Sequence, residues 1–193
     1  MIELIKKWDE DLFLVLNSFH SDALDPLAFQ LTETVTWIPL YLFLLYKIYR
    51  ANPSPSGIAW VVGGVMLTIL LADQVTSGFM KPFFERLRPC HDPRWEGILH
   101  NYGRCGGLYG FASSHAANTF GLATFLTLGL RSKVKGIAWL FAYALLVSYT
   151  RIYLGVHYPL DIVLGALVGV LAAYLSWFLV VVLKRKFIKK LLE

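Results

Sequence analysis

Tyr153-Leu154-Gly155-Val156-His157-Tyr158-Pro159-Leu160-Asp161 joins two long apolar runs, and the fold is read outward from it. Arg151 ends the first run, and His157 precedes a proline suited to open the second. Asp161 follows His157 by four residues, so a helix starting near Pro159 returns its carboxylate toward the imidazole. A charge inside a membrane is costly, so apolar runs normally exclude such residues. Arg151, His157 and Asp161 at one helix junction therefore predict chemistry at a membrane surface. A plain interfacial ion pair between Arg151 and Asp161 is the competing reading of this segment.

Composition sets the class. Of 193 residues, 56% are hydrophobic and only 16% charged, too apolar for a typical soluble domain. The length predicts a single domain over residues 1–193. The terminal cluster Lys184, Arg185, Lys186, Lys189 and Lys190 directly follows an apolar run. It reads as the cytoplasmic stop of a membrane helix rather than as a nucleic-acid site. The start, Met1-Ile2-Glu3-Leu4-Ile5-Lys6-Lys7, lacks the pattern of a cleavable signal peptide.

Five spans are predicted: Pro26–Tyr49, Gly57–Met80, Ser113–Leu130, Ile137–Thr150 and Pro159–Leu183. Before them, in segment 1–25, Ile5, Trp8, Leu12, Val15 or Leu16, and Phe19 recur at spacings of three or four, opposite Lys7, Glu10 and Asp11. This predicts an amphipathic helix lying in the interface, or one packed on the rest of the protein. A turn is predicted over Arg50 to Gly57, with Pro53 and Pro55. Asp73, Ser77 and Lys81 recur every four residues on one helix face, and a partner on another helix is the preferred reading of Asp73.

The positive-inside rule orients the chain. With the carboxyl terminus in the cytoplasm, the inside segments hold Lys47, Arg50, Arg131, Lys133, Lys135 and the terminal cluster, against Glu193 as the acid. The connection 81–110, with Arg86, Arg88, His91, Arg94, His100 and Arg104, then lies outside, as do Ser113–His115 and His157. Cys90 and Cys105 share that outward loop, where an oxidising compartment lets them pair; two free thiols are the alternative.

This orientation gathers Lys81 with Arg88, Ser113 with Ser114 and His115, and Arg151 with His157 and Asp161 at one membrane face. Three cations without neighbouring acids call for an anion, and a phosphoryl group suits two guanidinium forks and an ammonium. Ser113 and Ser114 open a helix, whose N–H groups favour an anion, although Ser113 also reads as an ordinary N-cap. Of the two histidines, one serves as nucleophile and the other as proton donor, with Asp161 fixing a tautomer. A zinc or iron site on His115, His157 and Asp161 competes, but the three cations repel a divalent ion.

These residues resemble the type 2 phosphatidic acid phosphatase family in three blocks. Lys81, six residues, then Arg88-Pro89 is the first; Ala112-Ser113-Ser114-His115 answers to Pro-Ser-Gly-His; Thr150-Arg151, then His157, then Asp161 is the third. The resemblance covers about residues 57–183. It implies an all-α integral membrane bundle that hydrolyses lipid phosphate without metal or cofactor. It implies His157 as nucleophile forming a phosphohistidine, His115 as general acid, and Asp161 as the partner of His157. Lys81, Arg88, Arg151, Ser113 and the Ser114 backbone are implied to hold the phosphate. Ser114 stands where the family has glycine, so a positive φ there would be strained.

The expected protein is thus a multi-pass enzyme of a bacterial cytoplasmic membrane with its site on the periplasmic or extracytoplasmic face. Its expected substrates are undecaprenyl diphosphate, phosphatidylglycerol phosphate or phosphatidic acid, with lipid A 1-phosphate as runner-up and transfer to another lipid as a variant. A transporter using Glu33 and Asp73 would need polar residues at both faces. A silent anionic-lipid binder would need neither histidine.

Overall fold

The computed structural model describes residues 1–52 and 54–192, and in them every regular element is helical. The helices are α1 (Ile2–Asn17), α2 (Asp25–Thr32), α3 (Ile38–Ala51), α4 (Pro55–Asp73), α5 (Lys81–Phe84), α6 (Ser114–Leu130), α7 (Leu140–Tyr153) and α8 (Pro159–Leu192). A π-helical stretch, Gln74–Met80, joins α4 to α5, so residues 55–84 run as one apolar rod.

The centre is α6, which packs on α8, α4 and α7. Small residues permit the closest of these contacts. A Cβ on Gly165 would collide with the Ser113 backbone, and one on Gly169 with the Ala117 carbonyl. Glycines four apart thus let α8 lie directly on α6. Leu44, Ile48, Phe125, Leu126, Leu130, Leu140, Tyr143 and Val147 fill the core below.

The expected spans are partly corrected. Residues 55–84 and 159–190 are long and apolar enough to cross a membrane, and α2 with the following helix forms a third candidate bent by 71°. The expected span Pro26–Tyr49 is therefore a bent pair of helices. Glu33 is extended between two helices, and Pro39 sits in the first turn of α3, where a missing N–H costs nothing. Residues 137–153 form a shorter apolar helix, and α6 has 17 residues. At 1.5 Å per residue both are about 25 Å long, at the short end of the roughly 17–25 residues of a membrane-crossing helix. Central burial of α6 makes protein, not lipid, its surroundings.

α1 packs on α7 and α8 through Asp9, Phe13 and Asn17, one helical turn apart. Ile5, Trp8, Leu12 and Val15 are exposed on another face, with Trp8 at 63%. The Asn17 amide donates to the carbonyls of His100, Ile152 and Tyr153 and accepts the His100 N–H, tying α1, the 85–113 loop and α7 together. Of the expected turn at 50–57, Pro53 lies outside the described residues; α4 opens at Pro55 behind Ser54, whose side chain caps Gly57.

Candidate active site

The junction between α7 and α8 builds the first half of the site. Gly155 adopts φ +71°, and a side chain there would strike Leu99 and the His100 carbonyl, so glycine lets the chain turn sharply. Pro159 then starts α8. Asp161, in its first turn, accepts the Tyr158 N–H at 3.0 Å, the half of a capping box in which the third helical residue reaches back to the N-cap. The same oxygen, Oδ2, faces Nδ1 of His157 at 3.3 Å. His157 is 1% exposed and Asp161 0%. Burial first, and then the charges of Arg151, Arg88, Lys81 and Arg86, hold the His157 imidazole well below its ordinary pKa. It is thus neutral near pH 7, with Nδ1 turned to the carboxylate and Nε2 left as the other ring nitrogen.

α6 supplies the second half. Ser113 is its N-cap, with Oγ toward the Ala116 N–H at 3.5 Å, and its own N–H donates to the Asp161 carbonyl at 2.9 Å. The capping role expected as an alternative for Ser113 is therefore present in the geometry. Ser114, the first residue of α6, is helical, so the strain foreseen for a positive φ does not arise. Its side chain has a use instead. Oγ accepts from Lys81 Nζ at 2.8 Å and touches the hydroxyls of Thr76 at 2.9 Å and Ser77 at 2.7 Å.

Protons can be counted through this cluster. Ser77 donates to Asp73 and Thr76 to the Ala72 carbonyl, so Ser114 has one proton to share between them. Lys81 gives two of its three N–H donors to Ser77 and Ser114, leaving one for an anion. Asp73 thus has a partner on its own helix, Ser77, where a partner on another helix was expected.

The two arginines expected to hold phosphate are held by their edges. Arg88 donates to the carbonyls of Tyr109 and Cys105. Arg151 donates to Thr32 at 2.7 Å, which the bend after α2 makes possible, and its buried Nε has no partner. Burial of Arg88 lowers its pKa from the ordinary arginine value, yet its guanidinium remains charged at any physiological pH. Lys81, Arg88, Arg151 and His157 all lie within electrostatic reach of His115. The structure therefore brings Lys81, Arg88, Ser113, Ser114, His115, Arg151, His157 and Asp161 into one place.

The 85–113 loop closes over it. Cys90 and Cys105 are disulfide-bonded, and Cys90 N–H reaches the Gly155 carbonyl at 3.0 Å. Gly110 lies so near Arg88, Asp161 and His157 that a Cβ there would come within 3.1–3.4 Å of all three. Arg86, named from sequence only among several loop cations, donates to Asp161 Oδ1 at 3.0 Å.

Beside His115 a cavity of about 550 Å³ opens between α3, α4, α6 and α7. Ser114, His115 and Asp73 lie on its wall together with Ile69, Val65, Leu122, Leu44 and Val147. Its size falls in the range of ligand pockets, about 300–1,000 Å³. No group of three or more metal-ligating side chains occurs among the described residues.

Residues 62–185 match the PAP2 superfamily. The chain is 38% identical over 181 residues to a lipid A 4'-phosphatase of Bacteroides thetaiotaomicron, covering 93% of this chain and 80% of that protein. It is 39% identical over 172 residues to an undecaprenyl-diphosphatase of Sulfolobus acidocaldarius, covering 86% of this chain and 75% of the relative. Its fold resembles that of a transmembrane PAP2-type phosphatidylglycerolphosphate phosphatase from Bacillus subtilis, with TM-score 0.65 and 22% identity over 95% of this chain and 87% of that one.

Proposed function

Since the chain belongs to the PAP2 superfamily and is a multi-pass membrane lipid phosphatase, we propose that it cleaves a lipid phosphomonoester through a phosphohistidine on His157. Lys81, Arg88 and Arg151 take the phosphate oxygens, with the N–H groups at the start of α6. Neutral His157 attacks phosphorus in line through Nε2, and the bond to the lipid oxygen breaks. His115 gives that oxygen its proton and then draws one from the water that clears the phosphohistidine. Asp161 holds the tautomer and balances the charge that develops on the His157 ring. No step calls for a metal, and the three cations would repel one.

The observation that carries the lipid reading is the apolar cavity beside His115. A headgroup phosphate reaches the cations from there while its chains stay among α3, α4, α6 and α7. Of the candidate substrates we favour a lipid A phosphomonoester, on the likeness over nearly the whole chain to a lipid A 4'-phosphatase. Undecaprenyl diphosphate, the first expectation from sequence, is the second choice. On the charge asymmetry of the loops, the site faces the periplasmic or extracytoplasmic side of the inner membrane, beneath the 81–110 loop, with α1 lying in the interface and the whole chain forming one domain.

The test is a panel of lipid A, undecaprenyl diphosphate, phosphatidylglycerol phosphate and phosphatidic acid with purified protein, reading inorganic phosphate. Release from lipid A ahead of the others is expected. Release from none, or equal release by His157→Ala, would refute the proposal.

A further inference from the structure

The carboxylate of Asp161 has two oxygens with different partners. Oδ2 serves His157 and the Tyr158 N–H. Oδ1 accepts Nη1 of Arg86 at 3.0 Å. The other arm of that guanidinium donates to Asp9 Oδ2 at 2.6 Å, and its plane lies 4.0 Å over the ring of Tyr158. Asp9 in turn accepts the Leu160 N–H at 2.8 Å through its second oxygen. Both carboxylates are buried, with side-chain exposures of 1% and 0%. Asp9 belongs to α1, outside the residues that match the superfamily.

We propose that Arg86 and Asp9 are positioning residues of the His157–Asp161 pair, with α1 as the clamp that holds Arg86 on Asp161. This rests on the phosphohistidine reading above. Neither residue is assigned a place on the phosphate. A long arginine side chain has many rotamers, and fixing one costs entropy. Here two carboxylates and an aromatic face fix it together. Asp161 is then held at both oxygens, so its carboxylate does not rotate away from Nδ1. The next residue of α1 repeats the arrangement. Glu10 pairs with Arg94, Arg94 with Asp92, and Asp92 with the hydroxyl of Tyr158, whose ring carries Arg86.

The charge count agrees. One arginine between two aspartates leaves a single negative charge, which sits beside the cations that await phosphate. Without Arg86, two buried carboxylates would face each other, and a pair of that kind takes up a proton. The groups that face Asp161 are His157, Arg86 and Arg88 of the loop, Lys81 of α5, and Asp9 of α1. With Arg86 lost, Oδ1 of Asp161 has no side-chain donor and its carboxylate is free to turn away from Nδ1 of His157.

The test is a set of double-mutant cycles on the full-length protein, with kcat and KM read on an aryl phosphate and on a lipid phosphate. Arg86→Gln and Asp9→Asn are each made with Asp161 intact and with Asp161→Asn. With Asp161 intact, each should lower kcat by about 10- to 100-fold, the scale typical of groups that orient a reacting side chain, with little change in KM. Arg86→Lys, which keeps the charge, should recover part of the loss. With Asp161→Asn, the further losses should nearly vanish, because nothing remains to be positioned. Equal losses in both backgrounds, a loss confined to KM, or wild-type kcat in Asp9→Asn would overturn the proposal. If Arg86→Gln fails to fold, the Asp9→Asn cycle decides alone. Full activity of Asp161→Asn by itself would instead remove the phosphohistidine reading, and the clamp with it.

Discussion

Among the groups that couple this protein's stability to pH, His157 should weaken the native state as pH falls. Its ring is 1% exposed, and burial with the charges of Arg151, Arg88, Lys81 and Arg86 keeps it neutral in the native state. The unfolded chain has no such surroundings, and there the imidazole titrates near its ordinary value. Below about pH 6.5 the unfolded chain binds a proton that the native protein does not, so stability is present above that pH and lost as pH falls. The loss at pH 5.5 is about 1.4 kcal/mol, from RT ln(1 + 10). For a chain of this length that is a fall of about 3–6 °C in Tm. The assay is thermal unfolding in detergent at pH 7.5, 6.5 and 5.5, comparing wild type with His157→Asn. The variant should lose about that much of the pH dependence. An equal slope in both proteins would show that His157 is not held neutral, and would undo the argument that the resting imidazole is ready to attack phosphorus.

Other consequences of the site are open to separate measurement. His115→Ala should still form phosphohistidine from an activated aryl phosphate, which needs no proton on its leaving group, yet lose about 10²–10⁴-fold on lipid, and finding the phosphate on His115 would reverse the two roles. Ile69→Trp should narrow the cavity and raise KM for lipid phosphate while sparing a soluble aryl phosphate; equal effects on both would show that chains bind elsewhere. Breaking Cys90–Cys105 frees a 15-residue loop worth about 3 kcal/mol in the chain-entropy model, and should weaken phosphate binding because Arg88 rests on the Cys105 carbonyl. Activity should persist in EDTA and fall with vanadate, and restoration by zinc after EDTA would favour a metal site.

What could be read from sequence was local or set by residue type. His157 and Asp161 are one helical turn apart, so their meeting follows from a helix starting at Pro159. The ladder Asp73, Ser77, Lys81 follows from the same spacing, and hydrogen bonds join its rungs. The bend at Glu33 was not legible, because an apolar run long enough to span does not show whether it is straight. Its consequence, Thr32 reaching Arg151, joins residues 119 apart in sequence. Arg86 was hidden for a similar reason. One loop holds several basic residues, and the acid that selects Arg86 lies 77 residues earlier on a helix read for its apolar face. Ser114 departs from the family's glycine, and its helical backbone carries no strain. Its hydroxyl mattered more, since it holds Lys81.

The division of charge across the site explains why it needs both a loop and a buried clamp. Lys81, Arg88 and Arg151 keep donors unspent, and the orphaned Arg151 Nε is the clearest case. Leaving such groups desolvated is costly, and on the proposed mechanism a phosphate offsets that cost. Asp161 cannot be allowed to do so instead. A carboxylate free to turn would pair with the nearest cation, as buried charges do, and would abandon His157. Arg86 removes that option by occupying Oδ1, and Asp9 keeps Arg86 from moving on to the phosphate itself. On the proposed mechanism, the acid that serves the nucleophile is thereby insulated from the cations that serve the substrate, although all of them converge beneath one loop.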